Sequence, residues 1–454
     1  MRLSGLDLQL ATGGQWHGLA PDGVESVVSD TRGFADGQVF LALRGPNFDG
    51  HRFAEAIADK ALALIGDARG VKLWEEISVP QLEVADTLVA LGDIAHAWRM
   101  QLRHTTVVAI SGSFGKTSLR SLLEHGFAGL GLKVAATQAN LNNLIGVPQT
   151  LLQVQSDSDI ALIECGISEA GEMEKLASIV QPDIALLTGI TNAHAEGLGG
   201  LQGVVREKAA LLEYMNDGGW CVLGAGVAEL LQQTGITVAQ GALDIDEVEA
   251  ADTVHWSLSG RMLQLRYGSE TAVLELQLPA RHWAANMALA TAVILRYLPQ
   301  VRLSEVAGIL SGWLPPAGRM QVIRGNNDCT VLNDCYNANP VSMQAAVDTL
   351  RALDGRRIAI LGDMGELGDD SRQAHAGLDI SGLELVYLVG PRMKVLADAN
   401  AEAIWLATTA DAVAALAGQQ FAAGDSLLVK ASRSMRLEAV VQVLSQQQEV
   451  AHAV

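Results

Sequence analysis

Residues 107–118 read VVAISGSFGKTS, and this stretch decides how the chain folds. Apolar residues predict a strand, which leads into a glycine loop that ends in Lys-Thr and opens a helical pattern. Glycines let several backbone N–H groups point at one anion, and the amino end of a helix adds positive charge there. Lys116 can reach the outer phosphates of a nucleotide, and Thr117 can ligate Mg²⁺. The stretch therefore predicts a phosphate-binding loop of the short Gly-x-x-Gly-Lys-Thr form, for ATP or GTP, with a ligand-free turn as the alternative.

Length, charge and hydropathy limit the class of protein. A chain of 454 residues is long for one core, since domains usually hold about 100–200 residues. Its net charge of −20 argues against nucleic acid and anionic membranes as partners, because both need a basic face. No apolar run approaches the roughly 20 residues of a membrane span, and the first residues lack a signal-peptide core. We expect a cytoplasmic monomer that binds no nucleic acid and does not insert into a membrane.

The cysteines are few and scattered. Cys165, Cys221, Cys329 and Cys335 lack the spacing of zinc ligands. We therefore expect reduced thiols.

The order of elements predicts an α/β fold. Short strands rich in Val, Ile, Leu and Ala alternate with helices, which favours parallel sheets covered on both faces. Alternating strands interrupt this order at residues 253–278, and the double proline within residues 313–318 marks a domain joint because it stops a helix. We predict three domains: a small mixed α/β domain at 1–80, a central P-loop, mostly parallel α/β ATPase domain at 81–313, and a Rossmann-like domain at 314–454.

Individual elements follow from the same patterns. Strands are predicted at 39–43, 107–110, 133–137, 160–164, 184–188, 220–223, 330–332, 358–361, 385–389, 403–406 and 427–430. Helices are predicted at 283–297 and 304–310.

Polar residues follow two central strands at the ends where parallel sheets carry function. Glu164 closes the strand at 160–164, and His194 lies in the loop after the strand at 184–188. Beside Thr117, each could ligate or position Mg²⁺, and Glu164 suits this hard cation better because it offers oxygen. The alternative is a hydrogen-bonded acid and a loop histidine without a ligand.

Lys208 projects from an apolar stripe of a predicted helix. Its neighbours one turn away in both directions are Val204, Val205, Leu211 and Leu212. A bare ammonium is costly there, and burial makes a lysine amine reactive by favouring its neutral form. Reaction with CO₂ would give a carbamate, which is a carboxylate-like metal ligand. In the alternative, the stem lies on the apolar face and the ammonium reaches water.

Two polar loops follow strands of the carboxyl-terminal part. Residues 333–340 (NDCYNANP) and 362–368 (GDMGELG) each come directly after a predicted strand. Such loops are either turns or ligand-binding edges, and two of them on one sheet edge favour a substrate site. Lys430 and Arg433, near the end of the last strand, could meet substrate carboxylates or be cations on an acidic surface.

Together these segments resemble the Mur ligases of bacterial cell-wall synthesis, over nearly the whole chain. Within that family, the run NANP at residues 337–340 resembles the corresponding loop of the branch that adds D-alanyl-D-alanine. The matching segments are 29–32, 40–45, 49–53, 112–118, 140–148, 281–286, 318–319, 333–340 and 362–368, with His375. Positions that depart from the family pattern are Phe114, Ala139, Ala210, Ala280, Trp283 and Ala431.

The resemblance implies roles for residues in all three predicted domains. It assigns catalysis to Lys116, Glu164, His194 and Lys208. It assigns ATP binding to Gly112, Ser113, Phe114, Gly115, Lys116, Thr117, Ser118, Asn286, Arg319 and Asp334. It assigns substrate binding to Ser29, Asp30, Thr31, Arg32, Asp49, His51, Asn140, Asn142, Asn143, Tyr336, Asn337 and Asn339. The implied metal ligands are Thr117, Glu164, His194 and carbamylated Lys208.

The resemblance also implies a reaction, which is ATP-dependent amide bond formation through an acyl phosphate. Its expected substrates are UDP-N-acetylmuramoyl-tripeptide, D-alanyl-D-alanine and ATP, with two Mg²⁺ ions and CO₂ as the lysine carbamate. Because an acyl phosphate must be kept from water, we expect the third domain to close onto the ATP domain about residues 313–318. A small-molecule kinase and a non-catalytic nucleotide switch are the alternatives.

Overall fold

The computed structural model describes residues 1–191, 195–237, 243–244 and 253–445. The chain groups into two compact units, and neither is continuous in sequence. Unit 1 consists of Met1–Ser111, Gly131–Leu186 and Ala209–Trp220, and unit 2 consists of Gly112–Leu130, Leu187–Lys208 and Cys221–Val454. The division runs through the predicted central domain, so the boundaries at 1–80, 81–313 and 314–454 stay a prediction.

The amino-terminal part of unit 1 is a small mixed α/β layer. Its strands are β1 (Gln15–His17), β2 (Val27–Val28), β3 (Val39–Leu41), β4 (Arg44–Gly45), β5 (Phe48–Asp49), β6 (Ala63–Asp67) and β7 (Gln81–Val84). Five of them form a sheet in the order β1-β7-β6-β3-β2, in which only β1 is antiparallel to its neighbour. The helices are α1 (Gly5–Thr12), α2 (Ala68–Leu73) and α3 (Thr87–Arg99). The predicted strand at 39–43 is confirmed in its first three residues.

Unit 1 also holds parallel strands that include β8, which leads into the phosphate loop. They are β8 (Thr106–Ser111), β9 (Val134–Ala136), β10 (Ile160–Glu164) and β11 (Ile184–Leu187), in the order β11-β8-β10-β9, with β11 ending at the division between the units. Every residue of β10 and β11 is buried, as expected for strands covered on both faces. Helices α5 (Gly146–Gln153) and α6 (Glu172–Val180) belong to this part, and α3 packs against both.

The middle of the chain contributes helices and a meander to unit 2. The helices are α4 (Lys116–Gly129), α7 (Ala195–Leu198), α8 (Leu201–Glu213), α9 (Val227–Gln233), α10 (Arg281–Tyr297) and α11 (Leu303–Leu310), of which α8 crosses the division. Strands β12 (Trp220–Leu223) and β13 (Leu243–Asp244) pair in parallel. Strands β14 (His255–Ser259), β15 (Met262–Tyr267) and β16 (Glu270–Glu275) form an antiparallel meander, which confirms the alternating strands predicted at 253–278. Helix α10 packs against α4 and is buried along most of its length.

The carboxyl-terminal part of unit 2 is a doubly wound sheet. Its strands are β17 (Gln321–Arg324), β18 (Thr330–Asp334), β19 (Arg357–Gly362), β20 (Leu385–Val389), β21 (Ile404–Leu406) and β22 (Ser426–Lys430), in the order β17-β18-β22-β19-β20-β21. All pairs are parallel except the edge pair β17–β18. The helices are α12 (Pro340–Arg351), α13 (Ser371–Ala376), α14 (Lys394–Ala399), α15 (Thr409–Leu416) and α16 (Glu438–Leu444). All five strands predicted here are present, and β17 was not predicted.

The expectation of reduced cysteines is confirmed. All four thiols are free and buried. Burial raises the pKa of Cys221 to about 11 and the pKa of Cys335 to about 12. Among the described residues, no helix is both long and apolar enough to cross a bilayer.

Candidate active site

The predicted phosphate loop joins β8 to α4 and depends on two glycines. Gly112 has φ +146°, and a Cβ there would lie 2.1 Å from Thr188 Oγ1. Gly115 has φ +79° and is the residue that precedes α4. Neither position accepts an ordinary side chain without strain. Lys116 lies at the end of this loop, and its Nζ donates to the Gly112 carbonyl over 2.7 Å. The lysine side chain therefore folds back over the loop.

Residues 188–191 hold the phosphate loop in its conformation. The Ser113 amide donates to the Gly189 carbonyl over 2.7 Å, and the Thr191 amide donates to Ser113 Oγ over 3.0 Å. The Thr188 hydroxyl donates to the Phe114 carbonyl. The Phe114 ring covers Gly189, where a Cβ would lie 2.4 Å from its Cζ. The large residue at position 114 is therefore accommodated by a glycine opposite it.

A cavity of ≈ 220 Å³ lies entirely within unit 2 beside this loop. Its walls come from the loop, from α10 and from the ends of β18 and β22. The predicted ATP-binding residues in its lining are Ser113, Phe114, Gly115, Ser118, Asn286, Arg319 and Asp334. The predicted substrate-binding residues Asn337 and Asn339 line the same cavity. The structure thus brings together residues that are more than 200 positions apart in sequence.

One wall of the cavity carries a buried ion pair. Asp334 and Lys430 end β18 and β22, and the parallel register makes them direct neighbours. Lys430 Nζ lies 2.7 Å from Asp334 Oδ2 and donates to the Asn337 carbonyl over 3.0 Å. The other carboxylate oxygen of Asp334 accepts from the Met320 amide over 3.0 Å. Lys430 is 2% exposed, which excludes the alternative of a cation on an acidic surface.

Two side chains from the carboxyl-terminal part contact the phosphate loop directly. The Arg319 Nη2 lies 3.3 Å from Thr117 Oγ1. The Asn339 Nδ2 donates to the Ser113 carbonyl over 3.4 Å. Asn339 also caps α12, because its Oδ1 accepts from the Ser342 amide over 2.8 Å. The cap therefore fixes the amide group that reaches the loop.

His282 adds an unsatisfied polar atom to the cavity wall. Its Nδ1 is buried and has no hydrogen-bond partner, which is found for no other side-chain nitrogen or oxygen in the described part of the chain. Burial is the main cause that lowers the pKa of His282 to about 4. The positive charge of Lys430 also lowers this pKa, whereas the negative charge of Asp334 raises it. The imidazole is therefore neutral at pH 7.

The described residues among the predicted metal ligands belong to both units. Glu164 ends β10 in unit 1 and is 1% exposed, whereas Thr117 and Lys208 belong to unit 2. His194 lies outside the described residues. Lys208 is 1% exposed, so the alternative in which its ammonium reaches water is excluded. Within the described residues, no group of three or more His, Cys, Asp or Glu side chains could hold a metal ion.

The predicted sugar-binding residues of unit 1 are engaged with one another. His51 is 1% exposed, its Nδ1 lies 2.7 Å from Asp49 Oδ1, and its Nε2 accepts from the Asp67 amide over 3.2 Å. Arg44 bridges Asp49 and Asp67. Because both ring nitrogens of His51 are used inside the domain, this residue positions the segment that contains it.

The other predicted substrate residues of unit 1 lie nearer its surface. The Ser29 hydroxyl accepts from Gln149 Nε2 over 2.6 Å, and Asp30 forms an exposed ion pair with Arg32 at 2.7 Å, on either side of Thr31 in sequence. Their role stays a prediction.

The asparagine-rich segment leads into α5. The Asn143 Oδ1 accepts from the Ile145 and Gly146 amides over 3.1 and 2.9 Å, which turns the chain into the helix. The Asn142 side chain packs against Gly166, where a Cβ would come within 2.9 Å of it. Asn140 lies at the exposed start of the segment.

Only the first of the two predicted polar loops reaches the cavity. The loop at 362–368 is held by His375, whose Nε2 accepts from the Met364 amide over 2.9 Å and whose Nδ1 donates to the Ser371 carbonyl over 2.6 Å. None of its residues lines the cavity. Of the two loops expected to form one substrate edge, only residues 333–340 contribute to the cavity, and the substrate role of both loops stays a prediction.

Sequence reasoning missed three residues of the cavity wall. Thr188 and His282 carried no assigned role, and Lys430 was left between two interpretations. A signal existed for Lys430, because the last residue of a buried strand in a parallel sheet lies beside the last residue of its neighbour. No such signal marks Thr188, whose partner is a backbone carbonyl.

Comparison with protein families covers most of the chain. Residues 24–99 match the Mur ligase family catalytic domain, residues 110–294 match the Mur ligase middle domain, and residues 318–433 match the Mur ligase glutamate ligase domain. The order of these matches agrees with the predicted three-domain α/β fold.

Characterised relatives and solved structures extend the match to the whole chain. The UDP-N-acetylmuramoyl-tripeptide–D-alanyl-D-alanine ligase of Escherichia coli is 32% identical over 93% of this chain and 94% of its own length. The enzyme of that name from Synechocystis is 33% identical over 93% and 92%. A crystal structure of MurF from Acinetobacter baumannii superposes with a TM-score of 0.85 at 28% identity, over 98% of this chain and 99% of that one. The fold is also that of the MurF ligase of Thermotoga maritima in complex with ADP, with a TM-score of 0.80 at 23% identity over 92% and 96%. The chain therefore belongs to the Mur ligase family.

Proposed function

We propose that this protein joins D-alanyl-D-alanine to UDP-N-acetylmuramoyl-tripeptide and uses ATP, which becomes ADP and phosphate. Relatives with this activity match 93% of the chain. One observation carries the proposal: a single cavity is lined by the phosphate loop, by Asn286 of α10, and by Arg319 and Asp334 of the carboxyl-terminal part. A nucleotide bound there would touch residues of both parts at once.

The reaction must first make a carboxylate electrophilic. An oxygen of the tripeptide carboxylate attacks the γ-phosphorus of ATP, the bond to the bridging oxygen breaks, and ADP leaves. The amine of D-alanyl-D-alanine then attacks the carbonyl carbon of the acyl phosphate, the tetrahedral intermediate expels phosphate, and the amine nitrogen loses a proton. Both steps develop negative charge on phosphoryl oxygens, so positively polarised donors must surround them.

The chain supplies these donors at the start of α4. Lys116 now donates to the Gly112 carbonyl, and a bound phosphate would offer its ammonium a charged acceptor instead. The free end of a helix adds N–H groups aimed at the same place. Asp334 cannot approach phosphates because both are negative, so we assign its carboxylate to hydroxyl groups of the nucleotide. Asn286, one helical turn from His282 on α10, is assigned to the base.

Magnesium belongs to this proposal as well. The Thr117 hydroxyl and the Glu164 carboxylate are hard oxygen donors of the kind that Mg²⁺ takes. Carbamylation of Lys208, which is 1% exposed, would add a third oxygen donor. His194 completes the proposed set, for two ions. When bound, Mg²⁺ would neutralise charge on the phosphates.

The sugar-binding role of unit 1, a monomeric state and a cytoplasmic location complete the proposal. Reduced, buried thiols support a reducing compartment. We also propose that closure about residues 313–318 excludes water from the acyl phosphate. The contacts of Arg319 and Asn339 with the phosphate loop support such a closed arrangement within unit 2.

Phosphate release tests the proposed reaction. The purified protein, ATP and Mg²⁺ are mixed with the muramoyl tripeptide, with D-alanyl-D-alanine, or with both, and the product is identified by mass spectrometry. We expect stoichiometric phosphate and amide product only when both are present. Lys116→Ala and Lys208→Ala should each lose nearly all activity, and bicarbonate should not restore Lys208→Ala because the amine is gone.

Other outcomes would contradict the proposal in distinct ways. Transfer of phosphate to a stable product without the dipeptide would indicate a kinase. Nucleotide binding without turnover under all conditions would indicate a switch. Robust ligation by Lys208→Ala would overturn the assigned role of that lysine.

A further inference from the structure

The ring of Tyr336 lies close to two guanidinium groups. The Arg319 Cζ is 4.1 Å from the ring centroid, and the Arg433 Cζ is 5.4 Å from it. Both distances fall within the range of cation–π attraction, which is about 6 Å. Tyr336 is half-buried at the end of the sheet that carries Asp334. Its ring therefore offers each arginine a flat surface with a negative face.

The backbone around Tyr336 is fixed by the segment that leads into Arg319. The Tyr336 amide donates to the Gly318 carbonyl over 3.2 Å. Gly318 has φ +72°, and a Cβ there would lie 3.1 Å from Tyr336 Cβ. The chain can pass this close to the tyrosine only because position 318 is glycine. The hydrogen bond between the Tyr336 amide and the Gly318 carbonyl thus holds the backbone of Tyr336 next to that of Arg319.

The far end of Arg319 reaches the phosphate loop. Its Nη2 lies 3.3 Å from the hydroxyl of Thr117, the residue assigned to the metal and the phosphates. An arginine side chain carries considerable rotamer entropy, and holding it in one conformation before the ligand arrives reduces what binding must overcome. The ring of Tyr336 would restrict Arg319 in this way.

Arg433 approaches the same ring at a longer distance. It forms an ion pair with Glu438 at the start of α16, and its side chain is 52% exposed. A cation at an exposed site gains less from an aromatic face than a desolvated one. The contact that matters for the nucleotide is therefore the one between Tyr336 and Arg319.

We propose that Tyr336 is a positioning residue for nucleotide binding, whose ring holds the Arg319 guanidinium beside Thr117 at the phosphates. This changes the expectation from sequence, which placed Tyr336 among the residues that touch substrate. The inference rests on the nucleotide part of the proposed function and does not require amide formation. The ring is the working group in this role, and the hydroxyl is dispensable.

Calorimetric binding of a non-hydrolysable ATP analogue with Mg²⁺ tests the inference on the full chain. We expect Tyr336→Leu to weaken binding by about 5- to 30-fold, the range that corresponds to a cation–π contact. Tyr336→Phe keeps the ring and should retain the affinity of the unchanged protein. Thermal unfolding of each variant checks that the fold is kept.

A double-mutant cycle separates positioning from a general structural effect. In an Arg319→Met background, we expect Tyr336→Leu to have no further effect on affinity, because its partner is missing. Equal losses for Tyr336→Phe and Tyr336→Leu would overturn the inference, and so would full additivity in the cycle. Unchanged protein that binds the analogue but fails to form amide would overturn the proposed reaction and leave this inference standing.

Discussion

Two cation–carboxylate pairs in this molecule have buried cations but different surroundings. Arg99 and Asp183 form one in unit 1, at 3.0 Å, and Lys430 and Asp334 form the other in unit 2, at 2.7 Å. The first lies where β8 and β11 begin, and the second lies where β18 and β22 end. In parallel sheets the carboxyl ends of strands carry function. The two pairs are therefore similar in composition and differ in their position in the sheets and in their neighbours.

The protein itself supplies most of the hydrogen bonds of the Arg99 pair, although Arg99 and Asp183 also line an open pocket of ≈ 330 Å³ in unit 1. Arg99 donates to the Val180 and Gln181 carbonyls over 2.9 and 2.8 Å. Asp183 accepts from the Val107 amide and from Asn216 Nδ2, both over 2.8 Å. Burial lowers the pKa of Arg99, although the charge of Asp183 and its hydrogen bond with Arg99 raise it. This pair ties loops to the beginnings of two strands and serves the fold.

The Lys430 pair faces a cavity. Lys430 and Asp334 both line it, together with the neutral His282. Asp334 has one oxygen on Lys430 and one on a backbone amide, and each carboxylate oxygen can accept a further bond. Burial of a charged pair alone therefore does not distinguish a structural role from a functional one. The other groups around the pair must also be known.

The largest expected effect comes from breaking the pair in unit 1. Arg99→Met should lower the free energy of unfolding by about 2–4 kcal/mol, because two carbonyls and a partly buried carboxylate lose their donor. The affinity of the folded protein for nucleotide should not change. Urea unfolding followed by circular dichroism measures the first, and calorimetry measures the second.

A neighbouring exposed arginine provides the control. Arg103→Met lies in the same loop region and should alter stability by less than about 0.5 kcal/mol. If Arg99→Met weakened nucleotide binding as well, the distinction between the two pairs would fail.

Breaking the pair in unit 2 should act on the reaction instead. Lys430→Met leaves the partly buried Asp334 carboxylate without its cation, and we expect kcat/KM for ATP to fall by about 30- to 150-fold, equivalent to about 2–3 kcal/mol. Steady-state kinetics with varied ATP measures this loss.

Arg324→Met is the matched control, since Arg324 pairs with Asp328 in the same part of unit 2 with a side chain that is 71% exposed. We expect a change of less than about twofold in kcat/KM for ATP, because exposed pairs contribute little. A loss in Lys430→Met no greater than in the control would refute the functional role of the buried pair.

The smallest expected effect should raise the stability of unit 1. Ala139 is exposed and has φ +48°, a conformation that suits glycine. Ala139→Gly should increase the free energy of unfolding by about 0.5–1 kcal/mol through relief of backbone strain. Nucleotide affinity should again stay constant, which would sharpen the separation between stability in unit 1 and binding in unit 2.

The same exchange in a helix should have the opposite sign. Ala414→Gly, at an exposed position inside α15, should cost about 0.5–1 kcal/mol. Destabilisation by both exchanges would contradict the strain argument at position 139.

Much of the fold follows from the sequence because parallel strands are apolar throughout. Runs such as 160–164 and 385–389 are confirmed to the residue. The short strands of the amino-terminal sheet escaped prediction, since β2 has two residues and shows no period. Strand β17 was not predicted because its four residues, QVIR, show neither an apolar run nor an alternation of polar and apolar residues.

The location of a candidate site residue could be predicted where the residue type and its motif indicate a particular chemistry. The glycine loop, Asn286 and Asp334 meet at the cavity as expected. The contact of Tyr336 with Arg319 could not be predicted, because the sequence around Tyr336 does not show which cation its ring will meet, and the predicted role of Tyr336 in substrate binding stays untested. For His51, both ring nitrogens are occupied within the domain, which only coordinates can show.

The burial of all four thiols has a practical consequence. Alkylation needs an accessible thiolate, and these side chains offer neither access nor, for Cys221 and Cys335, a thiolate at neutral pH. The native protein should therefore remain unlabelled by maleimide dyes. A single cysteine introduced on each side of residues 313–318 would give a clean fluorophore pair, with which the movement of the carboxyl-terminal part could be timed during turnover.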